Sequence, residues 1–385
     1  MSTHPKLFKN ARLVLAEDVT SGSLTVDQDG LIADIGSPSE TAGHDCEGDF
    51  LLPGLIELHT DHLETHYAPR PKVRWNPVAA VQAHDAQIAC AGITTVFDAL
   101  RVGMDDDDPS TDTLKVADMR ALADAVETGQ DEHRLRADHY IHLRCEVSAP
   151  DVIRAFEYFD GDDRVRLISL MDHTPGQRQF VSLDSYISYY KGKRGFNDEQ
   201  MAEFIEQRKA RADKNTPGNR KSISAYAQEN GIAIASHDDA TVDHVDEAVS
   251  LNTKIAEFPT TLEAAKASHE AGMAVLMGAP NVVRGGSHSG NVSARELAEA
   301  GHLDVLSSDY IPASLLQAAF QLADEIDGIT LPQAVTKVTS TPAKAIGLND
   351  RGVLETGKRG DLVQVKLVGN VPIVRGVWRE GRRVA

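Results

Sequence analysis

Cysteine is scarce in this chain. Cys46, Cys90 and Cys145 are the three in 385 residues, far apart and without a CxxC pair. That excludes a disulfide framework and suits a reducing compartment. Long apolar runs are missing too, and none reaches the length of a bilayer-spanning helix. The first ten residues are polar and carry no signal-peptide core, so the expected location is cytoplasmic. Positive charge is short: 39 Lys and Arg face 58 Asp and Glu, for a net charge of −19. Nucleic acids and membrane surfaces are polyanions, so neither is an expected partner. A small anionic substrate stays open, because metals or local basic clusters can offset the global field. No internal repeat is visible. The one biased segment is the acidic run 105–108, which reads as a solvated loop beside Pro109.

What is present is a chain long enough for one large domain and one small one. Residues 11–15, 23–26 and 31–36 read as short strands, with hairpin chemistry at 27–30. From Phe50 the pattern changes to apolar runs alternating with helix-like stretches such as 77–91, 114–129 and 222–231. The eight runs are 51–61, 92–99, 139–147, 165–173, 232–237, 255–260, 274–280 and 305–309. Such alternation predicts βα units and a parallel sheet, and eight units closing on themselves predict a TIM-like (β/α)8 barrel. The connection 174–221 is longer than a crossover needs and carries a polar helix over 198–212. It reads as a lid or as an oligomer contact. Strand-like runs return at 352–354, 361–365 and 371–378. The expected organisation is therefore a barrel over 51–349 and a small β-sandwich domain built from both chain ends, 1–50 and 350–385.

Barrel chemistry gathers at the C-terminal ends of the strands. The first run ends in His59 and Asp61, which share a face if the strand continues through them. Other runs end in Glu146, His173, His237 and Asp309. In 233–237 and 305–309 the residues sharing a face with His237 and Asp309 are small, as a packed interior under a polar mouth requires. Each residue alone has a structural reading, a satisfied core histidine or a helix-capping aspartate. Three imidazoles and three carboxylates can instead hold one or two divalent ions, which lower the pKa of a shared water and polarise a target oxygen. Zinc is the expected ion, with manganese or another transition metal also compatible with mixed nitrogen and oxygen donors.

The strand reading Pro53-Gly54-x-x-Glu57-x-His59-x-Asp61, the later His, His and Asp tips, and the stretch 357–363 together resemble the amidohydrolase superfamily. Two features depart from its usual pattern. The first motif is His-x-Asp rather than His-x-His, and the bridging lysine has no evident counterpart, although Glu146 stands where some members use a glutamate. The stretches 59–66, 69–72, 171–180, 236–241, 257–261, 277–281, 284–291 and 308–310 look like the diphosphatases of the carbon–phosphorus lyase pathway. His62 departs from them, since asparagine is expected there. The resemblance implies release of pyrophosphate from a ribose 5-triphosphate, with Asp309 as general base. Phosphate contacts would come from Arg284, Ser287 and His288 in a Gly-rich loop after the seventh strand, and from Arg70 and Lys72, which interleave with Pro69 and Pro71. Arg178 is a further candidate. The expected partner is a small phosphorylated substrate, and a homo-oligomer is compatible with the sequence. Two other readings stay open: a hydrolase or deaminase acting on a C–N bond, and a non-catalytic assembly module.

Overall fold

In the computed structural model the chain is described over residues 6–36, 42–103, 114–178, 187, 196–287 and 290–385. Both chain ends build one mixed sheet. From the N-terminal side come β1 (Lys6–Val14), β2 (Val19–Val26), β3 (Ile32–Gly36), β4 (His44–Asp45) and β5 (Phe50–Pro53). From the C-terminal side come β14 (Leu362–Val368), β15 (Val371–Arg379) and β16 (Arg382–Arg383). Their order is β16-β15-β14-β5-β1-β2-β3, with β4 beside β1. The turn from β2 to β3 forms as its residues dictate. The Asp27 carboxylate accepts the N–H groups of Asp29 and Leu31, both at 2.9 Å, and Gly30 takes the left-handed φ of 84°. Phe8, Leu13, Leu24, Ile32, Leu362 and Trp378 are buried in one core, with Phe8 set edge-on to Trp378.

The other sheet is parallel and follows chain order through β6 (Leu55–Thr60), β7 (Ile93–Val102), β8 (Asp138–Glu146), β9 (Val165–Met171), β10 (Ala233–His237), β11 (Ile255–Glu257), β12 (Ala274–Gly278) and β13 (Val305–Ser307). A parallel bridge from Thr60 to Asp309 joins its two ends. This is the near-closed TIM-like barrel, and its eight strands are the eight apolar runs of the sequence. β6, β11 and β13 are buried at every residue, as strands of a parallel sheet covered on both faces must be. Gly54 is the pivot from β5 into β6. A Cβ there would lie 2.1 Å from Thr94 Oγ1, so only glycine lets the chain pass.

The chain divides into two compact units. One comprises 1–98, 125–140 and 277–385, the other 99–124 and 141–276. In the first, β6 leads into α1 (His62–Tyr67) and α2 (Pro77–Cys90). α2 starts where Asn76 accepts the Ala79 N–H at 3.0 Å and Pro77 fills the first turn. β7 is followed by α3 (Val116–Asp131), β8 by α4 (Val152–Phe156), and β9 by α5 (Asp198–Glu229).

α5 corrects the sequence reading. The stretches 198–212 and 222–231 are not separate helices, because one helix of 32 residues runs through Pro217. Proline removes one intrahelical hydrogen bond, but tertiary contacts hold this segment. Asn219 Nδ2 donates to the carbonyls of Val147 and Ala149 at 2.9 and 3.1 Å, and Ala212, Thr216 and Ile223 are buried. The acidic run 105–108 lies outside the described residues.

Candidate metal centre

The strand-tip residues fall into two sets, one in each unit. In the first unit, β6 carries His59 at its buried tip. Glu57, two residues earlier, points the same way and is fully buried. Its carboxylate accepts the His59 N–H at 2.7 Å and the Ser308 N–H at 2.5 Å. Burial pushes Glu57 up to about 7, against those hydrogen bonds. Glu57 thereby ties β6 to the residues after β13. The His59 carbonyl accepts from the Asp309 N–H at 3.1 Å and from Ser307 Oγ at 2.7 Å. Thr60 Oγ1 donates to the Asp309 carbonyl at 2.9 Å.

β6 ends at Thr60, so strict alternation stops one residue short of Asp61. Asp61 stands at the N-cap position of α1, yet its side chain makes no capping hydrogen bond. The capping explanation of this aspartate therefore fails. Asp309 has a left-handed φ of 55°, an uncommon conformation for a residue other than glycine and one often found at functional sites.

In the second unit, Glu146 ends β8, His173 follows β9 and His237 ends β10. Glu146 Oε2 lies 2.5 Å from His173 Nδ1, and Glu146 Oε1 accepts the His173 N–H at 3.2 Å. Ser148 Oγ donates to the same carboxylate at 2.5 Å. Burial disfavours both charges, but their mutual attraction wins: Glu146 is held below the usual carboxylate range and His173 above the usual imidazole range. Asp238, which the sequence reading missed, takes a φ of 57°. That turn brings its Oδ2 to 2.8 Å from His237 Nδ1 and 4.0 Å from His173 Nε2. His173, His237 and Asp238 each offer a ligand atom, all within 4.8 Å of one another.

The predicted phosphate contacts divide by environment. Arg70 and Lys72 are exposed in the loop after α1, and Arg284 is exposed beside Gly285 and Gly286, whose φ values are 80° and 158°. Ser287 is half-buried, and His288 lies outside the described residues. Arg178 is buried, with its guanidinium held between Asp239 and Glu247.

A second buried group in the first unit carries no spacing signal. His84 comes from α2, Asp98 from β7 and His139 from β8. Asp98 lies 2.8 Å from His84 Nε2 and 2.7 Å from His139 Nδ1, and Asp85 lies 3.3 Å from His139 Nε2. Burial works against a charged His139, yet Asp98 and Asp85 raise it to about 10. His139 is thus an imidazolium between two carboxylates. Burial lowers His84, which stays neutral and donates Nε2–H to Asp98.

The model of the Amidohydrolase family matches residues 172–385. The chain is 49% identical over 380 residues to the α-D-ribose 1-methylphosphonate 5-triphosphate diphosphatase of Escherichia coli strain K12, covering 98% of this chain and 100% of that one. An imidazolonepropionase of Porphyromonas gingivalis strain W83 is 26% identical over 375 residues, covering 87% of this chain and 81% of its own. Among solved structures, an N-isopropylammelide isopropylaminohydrolase from Burkholderia multivorans superposes with a TM-score of 0.64 at 18% identity, over 99% of this chain and 98% of that one. An N-acetylglucosamine-6-phosphate deacetylase from Pasteurella multocida gives 0.63 at 15% identity, over 98% and 99%. Those two likenesses are likenesses of fold. With a family model over more than half its length and a near-full-length relative at almost half identity, the chain belongs to the amidohydrolase family.

Proposed function

We propose that this chain hydrolyses α-D-ribose 1-methylphosphonate 5-triphosphate to the 5-phosphate and pyrophosphate, using one or two divalent metal ions. The observation that carries the reading is the 49% identity over 98% of the chain to a diphosphatase of that specificity. The donor set fits a divalent ion: imidazoles and carboxylates of the kind zinc or manganese accepts. The proposed ligands are His59, Asp61 and Asp309 in the first unit and Glu146, His173 and His237 in the second. When bound, such an ion supplies an activated water and neutralises charge building on the phosphate oxygens.

The remaining work falls to the protein. Asp309 acts as general base, and its main chain is fixed by the hydrogen bonds to His59 and Thr60. Glu146 fixes the His173 tautomer by accepting from Nδ1, which leaves Nε2 as the donor atom. The departing pyrophosphate needs cations that meet its charge as it develops. Arg284 offers a bidentate fork from a loop whose glycines let backbone N–H groups approach oxygens. Ser287 and His288 belong to the same loop, and Arg70 and Lys72 add charge from the loop after α1. Arg178 reaches substrate only by giving up Asp239 or Glu247, so its first contribution is to hold the 237–239 turn in place.

The test is product analysis. Purified protein incubated with the ribose triphosphate and Zn²⁺ or Mn²⁺ is expected to release one pyrophosphate per 5-monophosphate formed, and to stop when the metal is chelated. Turnover of a C–N substrate with no pyrophosphate from the triphosphate would overturn the reading.

A further inference from the structure

Three histidines gather on the α1–α2 face of the first unit, where none is part of the proposed catalytic set. His62 and His66 are four residues apart on α1 and share one side of it. Their ring centres are 5.0 Å apart. His84 of α2 lies behind them, 6.0 Å from the His62 ring and 5.9 Å from the His66 ring. Three imidazoles bonded to one ion through nitrogen at about 2.0–2.1 Å place their ring centres roughly 5–6 Å apart.

Two further observations point to a ligand. His62 Nε2 and His66 Nε2 both converge on one atom, Gln87 Oε1, at 3.0 and 3.2 Å. Gln87 is an exposed side chain and can swing away. His84 is fully buried, and its Nδ1 has no hydrogen-bond partner among the described residues. Its Nε2–H is committed to Asp98 at 2.8 Å, so Nδ1 carries the lone pair. A buried carboxylate that fixes one ring nitrogen while the other stays open is how proteins orient metal-ligating histidines.

We propose that His62, His66 and His84 form an auxiliary transition-metal site. The Gln87 amide yields its place, and the half-buried His62 and His66 rotate to close on an ion that His84 Nδ1 also meets. Three neutral imidazoles without a carboxylate select Cu²⁺, Ni²⁺ or Zn²⁺ over Mg²⁺ or Ca²⁺.

Copper is the probe. The full-length protein, as isolated with its own metal, is titrated with Cu²⁺, passed through gel filtration, and measured by elemental analysis and electron paramagnetic resonance. Wild type is expected to hold one more Cu²⁺ per chain than His62→Asn or His66→Phe, with hyperfine splitting from imidazole nitrogen. Each variant should weaken that equivalent at least ~10-fold, since one ligand of three is lost. His66→Phe should keep its melting temperature and pyrophosphate release, which separates this site from the catalytic reading. Gln87→Ala should hold copper as tightly as wild type or more so. Equal copper uptake by wild type and both histidine variants would overturn the proposal, as would weaker uptake in Gln87→Ala.

Discussion

The Asp309 backbone N–H donates to the His59 carbonyl over 3.1 Å, which sets the last strand tip beside the first. The contact is made by main chain, so it survives replacement of the Asp309 side chain. Asp309→Asn keeps shape and hydrogen-bonding capacity but removes the basic oxygen. We expect kcat for the triphosphate to fall by about 10²- to 10⁴-fold, the usual worth of a general base. The melting temperature should stay close to that of wild type. Steady-state kinetics and thermal unfolding check both parts. A kcat within a few-fold of wild type would remove Asp309 from the chemistry.

Glu146 and His173 test the metal assignment without using turnover. Glu146→Gln keeps the side chain's size but loses the charge that orients His173 from 2.5 Å. Divalent-metal affinity should drop at least ~10- to 100-fold, as when an orienting carboxylate is lost. Competition with a chelator of known affinity measures it. Metal content equal to wild type under that competition would place the ion elsewhere.

The parts of the fold that could be read from sequence are those whose signal is local. Each parallel strand is an apolar run bounded by turns, so all eight were visible, and the tip residues follow from where each run ends. The single helix through Pro217 was not visible. Proline argues for a break, and the contacts that override it come from Val147 and Ala149, about seventy residues away. Asp238 was missed for a different reason. Its role depends on a φ of 57°, which no spacing rule predicts for aspartate. The His84, Asp98 and His139 group draws on a helix, a strand and the start of another strand, so no motif unites it. A charged or polar residue inside an otherwise apolar run was the one available hint.

Arg284 tests the phosphate loop. It is exposed and follows a short helix, so truncation should cost little stability. A charge-assisted hydrogen-bond pair to phosphate is worth about 1.5–3 kcal/mol, or roughly 10- to 100-fold. Arg284→Ala should therefore raise KM for the triphosphate by that factor while the melting temperature stays unchanged. The effect should shrink at high salt, because the site is open to solvent. An unchanged KM at low salt would remove this loop from substrate binding.

The last prediction concerns stability and pH. Asp138, at the start of β8, holds three guanidiniums from the C-terminal segment. Arg351 and Arg359 lie 2.7 Å from its Oδ2, and Arg379 lies 3.1 Å from its Oδ1. Burial alone would raise the Asp138 pKa, but Arg359, Arg379 and Arg351 outweigh it and hold the carboxyl below its usual range. A carboxylate with a depressed folded pKa contributes stability that is fully present above its unfolded value, near ~3.9. That contribution is lost as pH falls through the folded value. Asp138→Asn leaves three cations without their shared partner and should cost about 1–3 kcal/mol at pH 7. The deficit relative to wild type should narrow as pH drops below about 4, because the unfolded wild-type chain then binds a proton at this carboxyl that the folded one does not yet bind. Urea unfolding of both proteins across pH 3 to 7 measures this. A deficit that stays constant down the acid range would show that the cost comes from packing and not from the charge on Asp138.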